Sequence, residues 1–129
     1  MAHNIPNELK YTKDHEWTKL EGDVATIGIT DFAQSALGDI VFVELPEVGK
    51  TLSLHQTFGV VESIKSVSDL FSPLAGTVVE INNDLVNAPE LCNAQPYKDA
   101  WMIKVKLSDP TEVNSLLSPS DYQNFLSSL

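Results

Sequence analysis

The chain has 129 residues, 43% of them hydrophobic, which suits one packed domain and leaves too little for a second sizeable core. Its 18 acidic and 8 basic residues give a net charge of −10; that balance excludes a nucleic-acid footprint and suits either solubility or docking on electropositive proteins. The single cysteine, Cys92, excludes an internal disulfide, and His3, His15 and His55 are too scattered for a local metal-ligand pattern.

The amino-terminal MAHNIPNELK has neither the basic nor the apolar region of a signal peptide. No apolar run approaches membrane-spanning length, so a soluble protein of a reducing compartment is expected. Short β-branched runs then follow: Val24 to Ile29, Ile40 to Leu45, Phe58 to Ile64, Thr77 to Ile81 and Met102 to Leu107. Breakers separate them at Glu21-Gly22-Asp23, Pro46, Gly49, Pro73, Gly76, Pro89 and Pro96. Strands this short and this evenly spaced predict a small sandwich or barrel.

Helices are minor. Thr30 or Asp31 caps a short helix through Leu37, with Gly38 as its terminator. Asp109-Pro110 opens a helical turn carrying Val113, Leu116 and Leu117. Ser118-Pro119 starts a last helix whose Tyr122, Phe125, Leu126 and Leu129 share one face and should dock on the sheet. A faint internal echo joins Gly38-Asp39 plus IVFVE to Gly76-Thr77 plus VVEIN, a glycine leading into a strand each time.

The stretch VVESIKSVSDLFSP centres on Lys65. With Lys65 and Ser66 as the two central turn residues, Ile64 faces Val67, Ser63 faces Ser68 and Glu62 faces Asp69. Val61 then faces Leu70, and Val60 faces Phe71, so like meets like as cross-strand packing favours. Lys-Ser lacks the Asn or Gly of a primed two-residue turn, and Glu62 against Asp69 is a repulsive rung. A catalytic lysine needs burial or a cationic neighbour to become neutral; Lys65 has carboxylates and an exposed turn instead. No nucleophile–base pair, paired-acid arrangement or phosphate loop stands elsewhere in the chain. A handle for an attached group needs only exposure, reach and a rigid base, and a hairpin-tip lysine has all three.

GDIVFVELPEVG, FGVVESIKSVSDLFSPLAGTVVEIN, His15-Glu16-Trp17, GITDFAQ, Pro96-Tyr97 and Trp101 to Lys104 together resemble the H-proteins of the glycine cleavage system. The resemblance runs from Tyr11 to the final helix. It implies a mainly β barrel-sandwich hybrid, as in lipoyl and biotinyl carrier domains, with a short internal helix and carboxyl-terminal helices. Residues 1–129 then form a single lipoyl-carrier domain with an amino-terminal strand extension and a carboxyl-terminal helical segment.

The same resemblance implies lipoate in amide linkage on Lys65, and a shuttle rather than an enzyme, with no catalytic or metal-binding residue. In such proteins the oxidised dithiolane accepts an aminomethyl group from glycine decarboxylase (P-protein) with loss of CO2. An aminomethyltransferase (T-protein) passes the methylene to tetrahydrofolate and releases ammonia, and dihydrolipoyl dehydrogenase (L-protein) reoxidises the dithiol. Glu16 and Asp69 match acidic positions near the resting arm, where a carboxylate suits a protonated amine. Glu62 and Ser66 flank the attachment turn and serve recognition by lipoylating enzymes. A monomer is implied, in the cytoplasm of a bacterium or the mitochondrial matrix of a eukaryote. An alternative is a lipoyl relay or store that donates lipoate to other lipoyl-dependent complexes.

Two further residues carry expectations. Ala100 stands where the family often has glycine, which costs stability if that position needs positive φ. Cys92 and Trp17 are read as packing residues.

Overall fold

In the computed structural model, residues 3–129 are described. β1 (Lys10–Tyr11) and β2 (Glu16–Glu21) lead through Gly22 into β3 (Val24–Ile29). The Thr30 hydroxyl then accepts the Ala33 N–H at 3.2 Å and caps α1 (Asp31–Leu37), which Gly38 ends at φ 85°. Both cap residues act as their types dictate: the hydroxyl satisfies an orphan donor, and glycine alone tolerates the left-handed exit.

Six strands follow: β4 (Ile40–Glu44), β5 (Thr51–Leu52), β6 (Thr57–Ser63), β7 (Val67–Phe71), β8 (Gly76–Ile81) and β9 (Ile103–Leu107). Between β8 and β9 lie two single-turn helices, α2 (Asp84–Asn87) and α3 (Leu91–Ala94), in a segment that its breakers had marked as loop. A 3₁₀ helix spans Pro110–Ser115, and α4 spans Pro119–Ser127 with the Ser118 hydroxyl as its cap.

The strands make two sheets, β1-β2-β3-β9-β8-β5 and β4-β6-β7. Alternation puts Ala25, Ile27, Val78 and Val105 of the first sheet in one core cluster with Val43, Val61 and Leu70 of the second, as expected of two antiparallel layers with one dry face each. The two echoing segments fall in different sheets, β4 in the smaller and β8 in the larger. Gly59 is needed where β4 and β6 approach: a Cβ there would stand 2.2 Å from the Glu44 carbonyl oxygen.

A second cluster of Leu9, Tyr11, Trp17 and Tyr122 locks α4 onto the amino-terminal strands. Tyr11 and Tyr122 stack with ring centroids 4.7 Å apart, and the Trp17 indole N–H donates to the Pro96 carbonyl at 2.8 Å. Tyr122, Phe125 and Leu126 pack in this cluster as the helical spacing predicts. Leu129 does not: α4 stops at Ser127, and Leu129 is 68% exposed. Cys92 and Trp17 are buried, as packing residues should be, and burial pushes the Cys92 thiol up to about 12. Ala100 is buried outside the left-handed region, so alanine carries no backbone strain there.

The Tyr122 hydroxyl bridges His15 Nδ1 at 2.9 Å and the buried Thr30 hydroxyl at 2.8 Å. Tyr122→Phe keeps the stacking and removes both bonds, so urea denaturation should give a loss of roughly 1–2 kcal/mol. Thr30→Ala in the Tyr122→Phe background should cost less than in wild type, because the two residues share one bond.

Candidate functional site

Lys65 stands exposed in the turn between β6 and β7. The pairing differs from the expected one by two residues in sum: Glu62 faces Val67, Val61 faces Ser68 and Val60 faces Asp69. The central residues of the turn are therefore Ile64 and Lys65, not Lys65 and Ser66. Glu62 and Asp69 do not oppose one another, and the repulsive rung is absent.

The reason lies in Ser63, which the turn rules passed over. Its N–H donates to the Ser66 carbonyl at 2.8 Å, and its hydroxyl accepts the Ser66 and Lys65 N–H groups at 3.1 and 3.3 Å. A serine side chain thus closes the turn locally, and none of its residues is left-handed. The Ile64 N–H donates to the Asp39 carbonyl at 3.1 Å, bracing the tip against the start of β4. The aliphatic stem of Lys65 passes over Gly38, where a Cβ would sit 3.6 Å from Lys65 Cε. Among the described residues the only side-chain ion pairs are Lys104–Glu80 and His3–Asp31, so Lys65 is held by no carboxylate.

Glu62 and Ser66 lie in the same hairpin, and Asp69 is exposed on β7. Glu16 lies elsewhere. It is not an exposed strand-end acid: only 2% of it is accessible. The Thr12 hydroxyl donates to its Oε1 at 2.9 Å, and the Phe71 N–H donates to its Oε2 at 3.1 Å. Glu16 therefore ties the β1–β2 turn to the far end of β7. Burial pushes its carboxyl up to about 7, against the lowering pull of those two donors. At ~3.3 Å per residue, Phe71 lies at most about 20 Å along the hairpin from Lys65, and Asp69 at most about 13 Å.

A cleft of about 190 Å³ opens beside Thr12, lined by Tyr11, Asp14, His55, Pro73 and Leu116 among others. A larger one of about 660 Å³, between Glu44, Val48, Phe58 and Gly59, is lined by none of Lys65, Glu62, Ser66, Asp69 and Glu16. Sequence reading missed Ser63, Thr12 and the His15–Tyr122 bridge; the signals were a serine two residues before the lysine and a threonine four before the acid. Among the described residues no three His, Cys, Asp or Glu gather as a metal site, and no helix is long and apolar enough to cross a membrane.

A barrel-sandwich hybrid that presents one braced, unpaired lysine at a hairpin tip has the architecture of a lipoyl-type carrier domain. The particular family is equally plain: the model of the glycine cleavage H-protein family matches residues 9–129, and the chain belongs to that family. Its role therefore lies in the glycine cleavage system. It is 56% identical over 124 residues to the glycine cleavage system H protein of Halalkalibacterium halodurans, covering 96% of this chain and 97% of that one. It is 52% identical over 122 residues to that of Carboxydothermus hydrogenoformans, covering 95% and 94%. The crystal structure of a glycine cleavage system H protein from Mycobacterium marinum superposes with a TM-score of 0.87 at 41% identity, over 97% of this chain and all of that one.

Proposed function

We propose that Lys65 carries lipoate in amide linkage, and that the chain ferries the aminomethyl group of glycine from the decarboxylase to the aminomethyltransferase. The observation that carries this reading is the tip itself: an exposed lysine in no ion pair among the described residues, on a turn braced by Ser63 and Asp39. When attached, the lipoyl group supplies a disulfide that accepts the aminomethyl carbon and a dithiol that dihydrolipoyl dehydrogenase reoxidises. The chain supplies the rest. The hairpin anchors the arm at a fixed point, and β7 leads from that anchor past Asp69 to Phe71 and Glu16. The cleft beside Thr12, whose hydroxyl donates to the buried Glu16 carboxyl, gives a carried amine a place to rest out of bulk water. The chain itself does no chemistry in this scheme.

The test uses purified lipoylated protein. With glycine and glycine decarboxylase its intact mass should rise by one aminomethyl group, and aminomethyltransferase with tetrahydrofolate should remove it. No loading, together with passage of lipoate to another acceptor protein, would favour the relay reading instead.

Asp69→Asn separates structure from recognition. Asp69 faces Val60 and has no like-charged rung partner, so the melting temperature should hold to within roughly 0.5 kcal/mol of stability. Aminomethyl loading should slow, and a cold melt with normal loading would instead make Asp69 structural.

A further inference from the structure

The outer face of the larger sheet departs from the acidic character of the chain. Ala25, Ile27, Ile103 and Val105 turn into the core, so Thr26 and Lys104 between them turn outward. Pairing sets Lys19, Thr26, Lys104 and Glu80 in one row across β2, β3, β9 and β8, and Glu21, Val24 and Lys106 in the next. A cleft of about 270 Å³ on this face is lined by Trp17, Tyr97 and Trp101 together with Lys19, Lys98 and Lys104. The cleft and these two rows hold four of the eight lysines but two of the 18 acidic residues, Glu21 and Glu80.

The Lys104 ammonium is held, 3.6 Å from a Glu80 carboxylate oxygen and 5.0 Å from the centre of the Trp101 ring. Lys19 and Lys98 are exposed and make no ion pair among the described residues. The Trp17 indole N–H is spent on the Pro96 carbonyl, and the Tyr97 hydroxyl on Asn4 and Asp31. That leaves mainly ammonium groups on flexible stems to meet an occupant. A small ligand needs a few fixed, convergent polar groups. An acidic protein surface needs only exposed positive charge set around an aromatic floor. A net charge of −10 disfavours nucleic acid.

We infer that this lysine-edged aromatic cleft is the surface by which glycine decarboxylase holds the carrier, through carboxylates of the enzyme set around an apolar side chain that covers Trp101. The inference rests on the reading of the chain as the aminomethyl shuttle. Geometry selects the enzyme. Glu16 turns toward β7, and its neighbour Trp17 turns to the cleft on the opposite face of β2. A partner seated on the outer face therefore leaves β7 and Glu16 uncovered. That serves the enzyme that makes the labile group, because the loaded arm can settle along β7 before the enzyme departs. The enzyme that unloads the arm must instead draw it off β7. Reach is also met. Lys98 follows Asn93 by five residues, at most about 18 Å of chain. The Asn93 side-chain amide donates to the Gly38 carbonyl at 2.9 Å, beneath the Lys65 stem. An enzyme on the cleft thus has the attachment point at its edge.

The experiment uses the full-length chain, lipoylated to completion, as the varied substrate of purified glycine decarboxylase with glycine in excess. Lys19→Glu with Lys98→Glu should raise KM for the carrier about ten-fold or more and hold kcat within about two-fold, since docking rather than chemistry is lost. Added salt should raise the wild-type KM and barely move that of the variant. Lys10→Glu with Lys50→Glu makes the same change of net charge elsewhere and should keep KM within about two-fold of wild type. Melting curves check that both variants are folded. Once loaded, both should pass the methylene to tetrahydrofolate through the aminomethyltransferase at the wild-type rate. A KM for the Lys19 and Lys98 variant within about two-fold of wild type, or an equal rise in the Lys10 and Lys50 control, would overturn the assignment. So would a loss confined to the aminomethyltransferase step, which would give the face to that enzyme. Binding of a single-stranded oligonucleotide that the variant abolishes, with loading unchanged, would give it to nucleic acid. A wild type that is lipoylated yet never loaded would overturn the shuttle reading and this assignment together; with normal wild-type loading, an unchanged KM overturns the assignment alone.

Discussion

Lys65→Arg should leave the chain folded and abolish lipoylation. Arginine keeps the positive charge and nearly the reach of lysine, but its guanidinium has no amine to acylate. The side chain is exposed and makes no ion pair among the described residues, so its exchange should change stability by less than about 0.5 kcal/mol. Intact mass after incubation with ligase, ATP and lipoate should show one lipoyl group on wild type and none on the variant. All eight basic residues are lysines, so seven rival sites remain, and peptide mapping distinguishes them. Lys13 is the informative control because it too lies in a turn between paired strands, β1 and β2. Its ammonium, however, lies 5.8 Å from the centre of the Phe125 ring, drawn over the helix rather than outward. Lipoate on Lys13, or on any other lysine of the variant, would overturn Lys65 as the sole site.

The parts of this fold that were legible in the sequence are those set by local chemistry. Val24 to Ile29 reads as a strand because β-branched residues fill it, and the structure has β3 there without a residue's difference. Thr30 and Gly38 announce the ends of α1 by what a hydroxyl and a glycine do to helix termini. The hairpin was legible as a hairpin but not in register. Register depends on turn chemistry, and the Ser63 hydroxyl replaces the positive-φ residues that the usual rules look for. α2 and α3 were hidden because Pro89 reads as a breaker between them and the helices last only one turn each, too short for an apolar period to show. The burial of Glu16 was not legible at all. Nothing local distinguishes an acid at a strand's start from one that β7 will cover, since its donor Phe71 lies 55 residues away.

Glu16→Gln should change how stability depends on pH, and the sign follows from the raised carboxyl. An acid that ionises near 4.5 when unfolded and at about 7 when folded binds its proton more tightly in the native state. Between those values the native state holds more protons, so this group's contribution falls as pH rises through the window and is flat above it. The size is roughly 3 kcal/mol at most, from the two values. Glutamine fits the site: its oxygen accepts the Phe71 N–H and its amide donates to the Thr12 hydroxyl, so neither is orphaned. The variant should therefore gain on wild type from pH 4.5 to 7 and keep that lead at pH 8. His15, next in sequence, has the opposite slope: burial lowers its imidazole below 6.5, so stability falls as pH drops and the unfolded chain protonates. That limb should persist in both proteins, while Asp14, whose charge also favours the protonated carboxyl, is unchanged between them. Urea titrations of the pair across pH 4.5 to 8 isolate the Glu16 term as a difference; parallel curves would mean that Glu16 ionises normally. The same carboxyl sets a second expectation if it steadies the carried amine. Only its ionised form gives a charge-assisted bond, worth about 1 kcal/mol over a neutral one. Spontaneous loss of formaldehyde and ammonia from loaded protein, without tetrahydrofolate, should be similar in wild type and Glu16→Gln at pH 6. By pH 8 the variant should lose them several-fold faster, and equal rates there would exclude the Glu16 charge as the source of protection.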